Sequence, residues 1–394
     1  MSFCTCLAGR NSPTIALAIL VAVGVTGCAS RPEGVLAPVP NITTDTSKID
    51  MLVATTRKPT EESGVFFTGE RGADLSLANV IVSMPPGREL GTIQWPSRIP
   101  GDPERDFVTT AVDHMDREDL QHWFRAHSVK GRRVLIFVHG FNTQFDDSMF
   151  RFAQIIHDSR VDVAPILFSW PSRGSIFDYN YDRESTNYSR AELAYVIQQA
   201  VRSRDVSEIT IMAHSMGSWP AVEALRDISL QNGKISPKIT TVILASPDLD
   251  IDVFRKQLTE IGPTRPHFTI FVSANDRALR LSRLISGSVT RVGGVNLDQK
   301  QYQEQLASMS GITVLDLSAL RNGDRLNHSQ FATSPEVVQL LGERLIEGQA
   351  ISDADVGSPG QLPAAAVGAD EAIGTVAGAA LTAPIRILQS ASRP

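Results

Sequence analysis

The chain has 394 residues, 42% hydrophobic and 20% charged, enough apolar material for one large core and at most two domains. Its 43 acidic against 37 basic residues give a formal charge of −6, so nothing electrostatic points to nucleic acid as a partner. The acidic residues are dispersed, and the sequence holds no HExxH, no CxxC pair and no P-loop, so neither a metal nor a cofactor is expected.

Arg10 precedes an apolar run over 15–25, too short to span a bilayer. The run ends in Val25-Thr26-Gly27-Cys28, which closely resembles a bacterial lipobox. That resemblance implies a lipoprotein signal peptide over 1–27 and a lipid on Cys28, which would anchor the protein to the membrane. Cys4 and Cys6 would leave with the signal, so the mature chain would hold no disulfide. Ala29 follows the Cys where an Asp would imply inner-membrane retention, so the expected location is the outer membrane, facing the periplasm.

Residues 28–49 read as a Pro-, Thr- and Ser-containing tether, and the domain proper as 50–348. Strands are predicted over 50–57, 75–84, 90–95 and 107–112, the antiparallel edge of a mixed sheet. A helix over 117–128 would place Leu120, Trp123, Phe124 and His127 on one face. From 134 the chain alternates apolar strands with helical periodicity, which predicts an α/β fold whose central sheet is mostly parallel, with helices on both faces. Its strands fall at 134–138, 163–170, 209–213, 239–245, 268–273 and 312–317. A long loop is expected over 171–187, and Val337, Leu341 and Leu345 mark a closing helix. Residues 349–394 turn rich in Ala, Gly, Pro and Ser and read as a largely disordered tail, with a short helix allowed over 373–388.

The chemistry gathers where loops leave the strands' carboxyl ends. Ala213-His214-Ser215-Met216-Gly217 joins a strand to a helix with a small residue two before the serine and a glycine two after, the pattern of a nucleophile elbow. A serine hydroxyl needs an imidazole to take its proton and a carboxylate to orient that imidazole. Asp276 and His328 fall on later strand-end loops, in the order Ser, acid, His of the α/β-hydrolase triad. The other histidines precede the elbow, lie inside it or start a strand at the wrong end of the sheet. Asp248, one strand earlier than Asp276, is the alternative acid; Leu249-Asp250-Ile251-Asp252 after it reads as a helix start, which would give Asp248 a structural task such as capping. His139-Gly140-Phe141-Asn142 ends an apolar strand and allows close backbone approach. The expected oxyanion donors are the amides of Phe141 and Met216. Trp170, Phe177 and Tyr179, on the loop after the next strand, are candidate walls for an acyl or aryl group.

HGFNTQFDDSMFRFAQI, LFSWPSRGSIFDYNYDRESTNYSR, ITIMAHSMGSW, LASPDLDIDVF and VSANDRALRLS together resemble one bacterial branch of the α/β-hydrolases, a family of unassigned function described as esterase- or lipase-like. The likeness covers roughly 50–346. It implies the fold and a serine-hydrolase activity, and it places the triad on Ser215, Asp276 and His328. Two departures stand out: Ala213 replaces the first elbow glycine, and Pro220 sits in the first turn of the following helix. The expectation is an esterase that acts on a small-molecule ester through an acyl-enzyme. A thioesterase or amidase would use the same residues, and a non-catalytic envelope lipoprotein would keep only the fold.

Overall fold

A computed structural model describes residues 32–40, 42, 45–127, 132–307, 310–320, 324, 326–342 and 385–389. The expected signal peptide over 1–27 and Cys28 lie outside these. The strands are β1 (Ser47–Pro59), β2 (Phe67–Met84), β3 (Val108–Met115), β4 (Arg133–Val138), β5 (Ala164–Ser169), β6 (Glu208–His214), β7 (Ile239–Ala245), β8 (His267–Val272), β9 (Ile312–Asp316) and β10 (Arg386–Gln389). The helices are α1 (Leu120–His127), α2 (Phe145–Ser159), α3 (Tyr179–Arg202), α4 (Ser218–Asn232), α5 (Ile251–Ile261), α6 (Arg277–Ile285), α7 (Lys300–Ala307), α8 (Gln330–Thr333) and α9 (Pro335–Leu340).

The strands form one sheet in the order β10-β9-β8-β7-β6-β4-β5-β1-β2-β3. Strands β4 to β9 run parallel, and β1 joins β5 in parallel; β2 and β3 continue antiparallel, the expected N-terminal edge. β4 is apolar from Val134 to Val138 because both its faces are covered. Val134, Ile136 and Val138 face the core under α3 and α4, while Leu135 and Phe137 face the core under α2. Each such fully buried side chain stabilises the fold by ~1.5–3 kcal/mol. The chain places β5 on one side of β4 and β6 on the other. The helices that follow β4 and β6, α2 and α4, therefore pack on opposite faces, and the carboxyl end of the sheet at this point is where such sheets bind ligands.

Four expectations need correction. Residues 90–95 form turns and extended coil instead of a strand. The Gly91 amide donates to Asp158 Oδ2 at 2.8 Å and Trp95 packs on Phe150 at 5.2 Å, so this stretch covers the outer side of α2. The long loop expected over 171–187 is shorter, since α3 begins at Tyr179. After Tyr179, its first turns bury Asp182, Ser185, Thr186 and Ser189, so hydrophobic periodicity could not reveal them. The segment read as a tether packs down in its described part: Val35 and Leu36 are buried, and the Val39 amide donates to Thr109 O. In the tail, Arg386–Gln389 form β10, antiparallel to β9, at the end of the stretch where a short helix was allowed; 349–384, with the rest of that stretch, lie outside the described residues. An open sheet edge offers backbone groups that such a segment can pair with. Of the closing-helix residues, Val337 and Leu341 are buried and Leu345 lies outside the described residues.

Candidate active site

Ser215 follows directly on β6, in a single helical turn that leads into α4. Its φ of 51° is left-handed, a conformation that costs a non-glycine residue about 1–3 kcal/mol and persists only where the surroundings enforce it. The surroundings do so through two glycines. A Cβ on Gly217 would stand 2.1 Å from His139 O, and one on Gly140 would stand 2.9 Å from Ser215 Cβ. The loop after β4 and the elbow after β6 thus interlock backbone to backbone. The Asp248 amide donates to Ser215 O at 3.1 Å and ties the next strand-end loop to the same point.

The loop after β9 brings His328 to this end of the sheet. Asp324 Oδ1 accepts the amides of His328 (2.8 Å) and Ser329 (3.0 Å) and closes the turn. His328 Nδ1 donates to Asp276 Oδ2 at 2.7 Å, and the Asp276 side chain is fully buried. Burial alone pushes the His328 imidazole down, but the hydrogen bond and charge of Asp276, helped by Asp248 and Asp324, leave it above its ordinary value. The ring of His214, the residue before the serine, packs 4.8 Å from that of His328, and its Nε2 donates to His328 O at 3.3 Å.

Asp248, the alternative acid, is bonded elsewhere. Its Oδ1 accepts from Ser282 Oγ at 2.6 Å and its Oδ2 from Tyr179 OH at 3.2 Å. Arg291 Nε lies 3.1 Å from Oδ1, an ion pair whose angle is poor for a hydrogen bond. The helix start that follows is capped by Asp250, which accepts from the amides of Asp252 and Val253, so the capping task expected of Asp248 falls two residues later.

The three expected wall residues separate. Trp170 is buried beneath the loop after β4, stacked on His139 at 4.7 Å with its indole N–H on His139 O, so it supports that loop and lines no wall. Phe177 is 92% exposed and points to solvent. Tyr179 lies edge-on to Phe141 at 5.3 Å. It lines a cavity of about 310 Å³ together with Met216, Trp219, Arg183, Val253 and Arg291.

Residues 116–344 match the family model described as "Alpha/beta hydrolase of unknown function (DUF900)", more than half of the chain. The chain belongs to this family. An uncharacterized protein of Nostoc sp. is 25% identical over 122 residues, which cover 25% of this chain and 32% of that relative. The chain therefore spans about a third of the length of the curated relative it matches. Among solved structures, a lipase-esterase related protein from Clostridium acetobutylicum is similar at 13% identity and a TM-score of 0.31, over 55% of this chain and 96% of that one. An esterase from Pyrobaculum calidifontis is similar at 10% identity and a TM-score of 0.34, over 76% and 85% respectively.

In this DUF900 hydrolase, sequence reasoning missed the two residues that brace the loop after β4. Arg57, at the end of β1's buried stretch, is itself fully buried. It donates to Ser169 Oγ, Ser172 O, Thr68 O and Thr143 O at 2.9, 2.9, 3.3 and 2.7 Å. Burial pulls its guanidinium down to about 10, with Asp182, Asp146 and Asp147 opposing, so it stays charged at neutral pH. Asp182 accepts from Ser172 Oγ at 2.5 Å and from the amides of Asn142 and Arg173, both at 3.2 Å. The Asn142 amide is thereby taken up by Asp182. His139 is held on both sides, with Nδ1 2.9 Å from Gly140 O and Nε2 3.1 Å from Trp170 O and 3.4 Å from Arg57 Nη2. Burial and the Arg57 charge push His139 down to about 3 and keep it neutral. A lone arginine in a strand and an aspartate in a helix gave no motif; only their burial marks them.

Proposed function

We propose that this hydrolase cleaves carboxylic esters through an acyl-enzyme formed on Ser215. The observation that carries the reading is the 2.7 Å bond from His328 to the buried Asp276, at the same end of the sheet as a left-handed serine between strand and helix. With its proton held on Nδ1 by Asp276, His328 has Nε2 as the base. Nε2 takes the Ser215 proton as Oγ attacks the ester carbonyl, then returns it to the leaving alcohol. A water activated by the same nitrogen then releases the acid and restores the serine. The amides of Phe141 and Met216 stabilise the developing oxyanion, each worth ~3 kcal/mol. The cavity beside Met216 and Tyr179 takes the acyl or alcohol group.

The lipobox-like Val25-Thr26-Gly27-Cys28 supports a second reading, that a lipid on Cys28 holds the enzyme at the outer membrane's periplasmic face. The catalytic reading is tested on matched ester, thioester and amide substrates, with mass spectrometry of the enzyme during turnover. Expected are fastest turnover on the ester and an acyl adduct on the peptide holding Ser215. Ester turnover left unchanged in Ser215→Ala would overturn it.

A further inference from the structure

The helix that begins directly after Asp276, α6, presents to solvent a face that a globular protein ordinarily covers. Its sequence is RALRLSRLI. Leu279 and Ser282 are buried, with Ser282 bonded to Asp248. On the opposite face Leu281 is 54%, Leu284 73% and Ile285 50% exposed. Arg277, Arg280 and Arg283 are exposed between and beside these leucines, and the helix carries no acidic residue. Among the described residues neither Arg280 nor Arg283 forms an ion pair. Exposed Leu326 extends the patch, since its carbonyl accepts the Arg277 amide at 2.9 Å.

Leucines protruding among arginines on one short helix match a surface that is apolar below and anionic above. We propose that α6 docks this protein onto an anionic phospholipid surface. Charge decides between this and the other occupants. A second copy seated on the same face in a symmetric pair would set arginines against arginines. The apolar part of the chain's own tail, 372–384, carries no acidic residue within it, and Asp370 and Glu371 lie together at one end of it instead of between its apolar residues. A lipid surface supplies both the acyl region for the leucines and phosphates for the arginines, on a chain whose net charge of −6 would otherwise repel it. No helix among the described residues is long and apolar enough to cross a membrane, so the contact is peripheral. Because Asp276 caps the start of α6, docking would turn the Asp276–His328 end of the sheet toward the lipid headgroups. The face rests on exposure and charge alone and does not depend on the catalytic reading.

The test uses the full chain with Cys4→Ser, Cys6→Ser, Cys28→Ser and Leu284→Cys, labelled at position 284 with the environment-sensitive fluorophore NBD. Vesicles of phosphatidylglycerol mixed with phosphatidylcholine should raise the emission and shift it to the blue. Pure phosphatidylcholine, or an added Arg280→Glu/Arg283→Glu pair, should require about tenfold more lipid for the same change. A control label at Leu230→Cys, exposed on α4 far from its elbow end, should not respond. No response at position 284, an equal response to both lipids, or an equal response at position 230 would overturn the proposal. So would a blue shift without vesicles: one growing with protein concentration would assign the face to a second copy, one independent of it to the chain's own tail.

Discussion

Asp276 divides its carboxylate between two partners: Oδ2 accepts from His328 Nδ1 at 2.7 Å, and Oδ1 accepts from the Leu279 amide at 2.9 Å. The second bond caps α6, so the helix start fixes the direction from which the carboxylate meets the imidazole. Two substitutions separate these tasks. Asp276→Asn can keep the cap while removing the charge that orients and supports the imidazolium, so turnover should fall by ~10⁴ with folding preserved. Asp276→Ala should lose the cap as well, lowering stability by a further ~1 kcal/mol. Near-normal turnover in Asp276→Asn would remove Asp276 from the catalytic reading.

Asp248→Asn should behave differently. Asp248 and Arg291 are both buried, and neutralising one leaves the other without its counter-charge. Breaking such a pair destabilises by ~3 kcal/mol, while the asparagine can still accept from one of the Ser282 and Tyr179 hydroxyls and donate to the other. Urea denaturation should show the loss, with turnover in the folded protein little changed. A collapse of turnover at unchanged stability would transfer the acid's role to Asp248.

The pH dependence follows from the signs of the histidine shifts. In the proposed reaction His328 must be neutral to act as base, and it lies above its ordinary 6.5, so kcat/KM should fall as pH drops through a value above 6.5. Asp276→Asn leaves burial unopposed by that partner and should move the limb down. In stability terms, the raised His328 contributes fully below about 6.5, and the contribution fades as pH rises through its folded value. His139 acts in the opposite direction. Held neutral down to about 3, it makes the fold progressively less stable as pH falls below 6.5. Denaturation midpoints and rate profiles over the same buffers separate the two effects, and a kcat/KM limb below 6.5 in the wild type would contradict the first.

Much of this was legible in the chain, for physical reasons. The parallel strands are buried on both faces and so appear as continuous apolar runs, as in Val134 to Val138. The elbow could be read because its tight turn excludes side chains, which leaves Gly217 as a visible trace. Asp276 and His328 stood out because chain order follows strand order. What escaped was whatever depends on polar burial. The first turns of α3 bury Ser185, Thr186 and Ser189 under β1, with Ser189 bonded to Thr56 at 2.7 Å, and so resembled a loop. Trp170 was misplaced because a large aromatic beside a site serves equally well as wall or foundation, and only its bond to His139 O tells which.

Arg57 offers a test of that hidden foundation. Lysine would keep the charge but cannot reach Ser169, Ser172, Thr68 and Thr143 together from one nitrogen. Arg57→Lys should therefore destabilise the protein by ~2–3 kcal/mol, from buried acceptors left unsatisfied. Turnover should also drop in the folded fraction, because the loop carrying Phe141 loses its brace. Wild-type stability and turnover together would contradict this.

The most direct test of a nucleophilic Ser215 is labelling with a fluorophosphonate, which reacts with an activated serine and reports the modified residue by mass spectrometry. The wild-type chain should take up one label, on Ser215, and Ser215→Ala should take up none while keeping the wild-type circular dichroism and denaturation midpoint. A folded wild type that fails to label, or a Ser215→Ala variant that labels as well as wild type, would contradict the account.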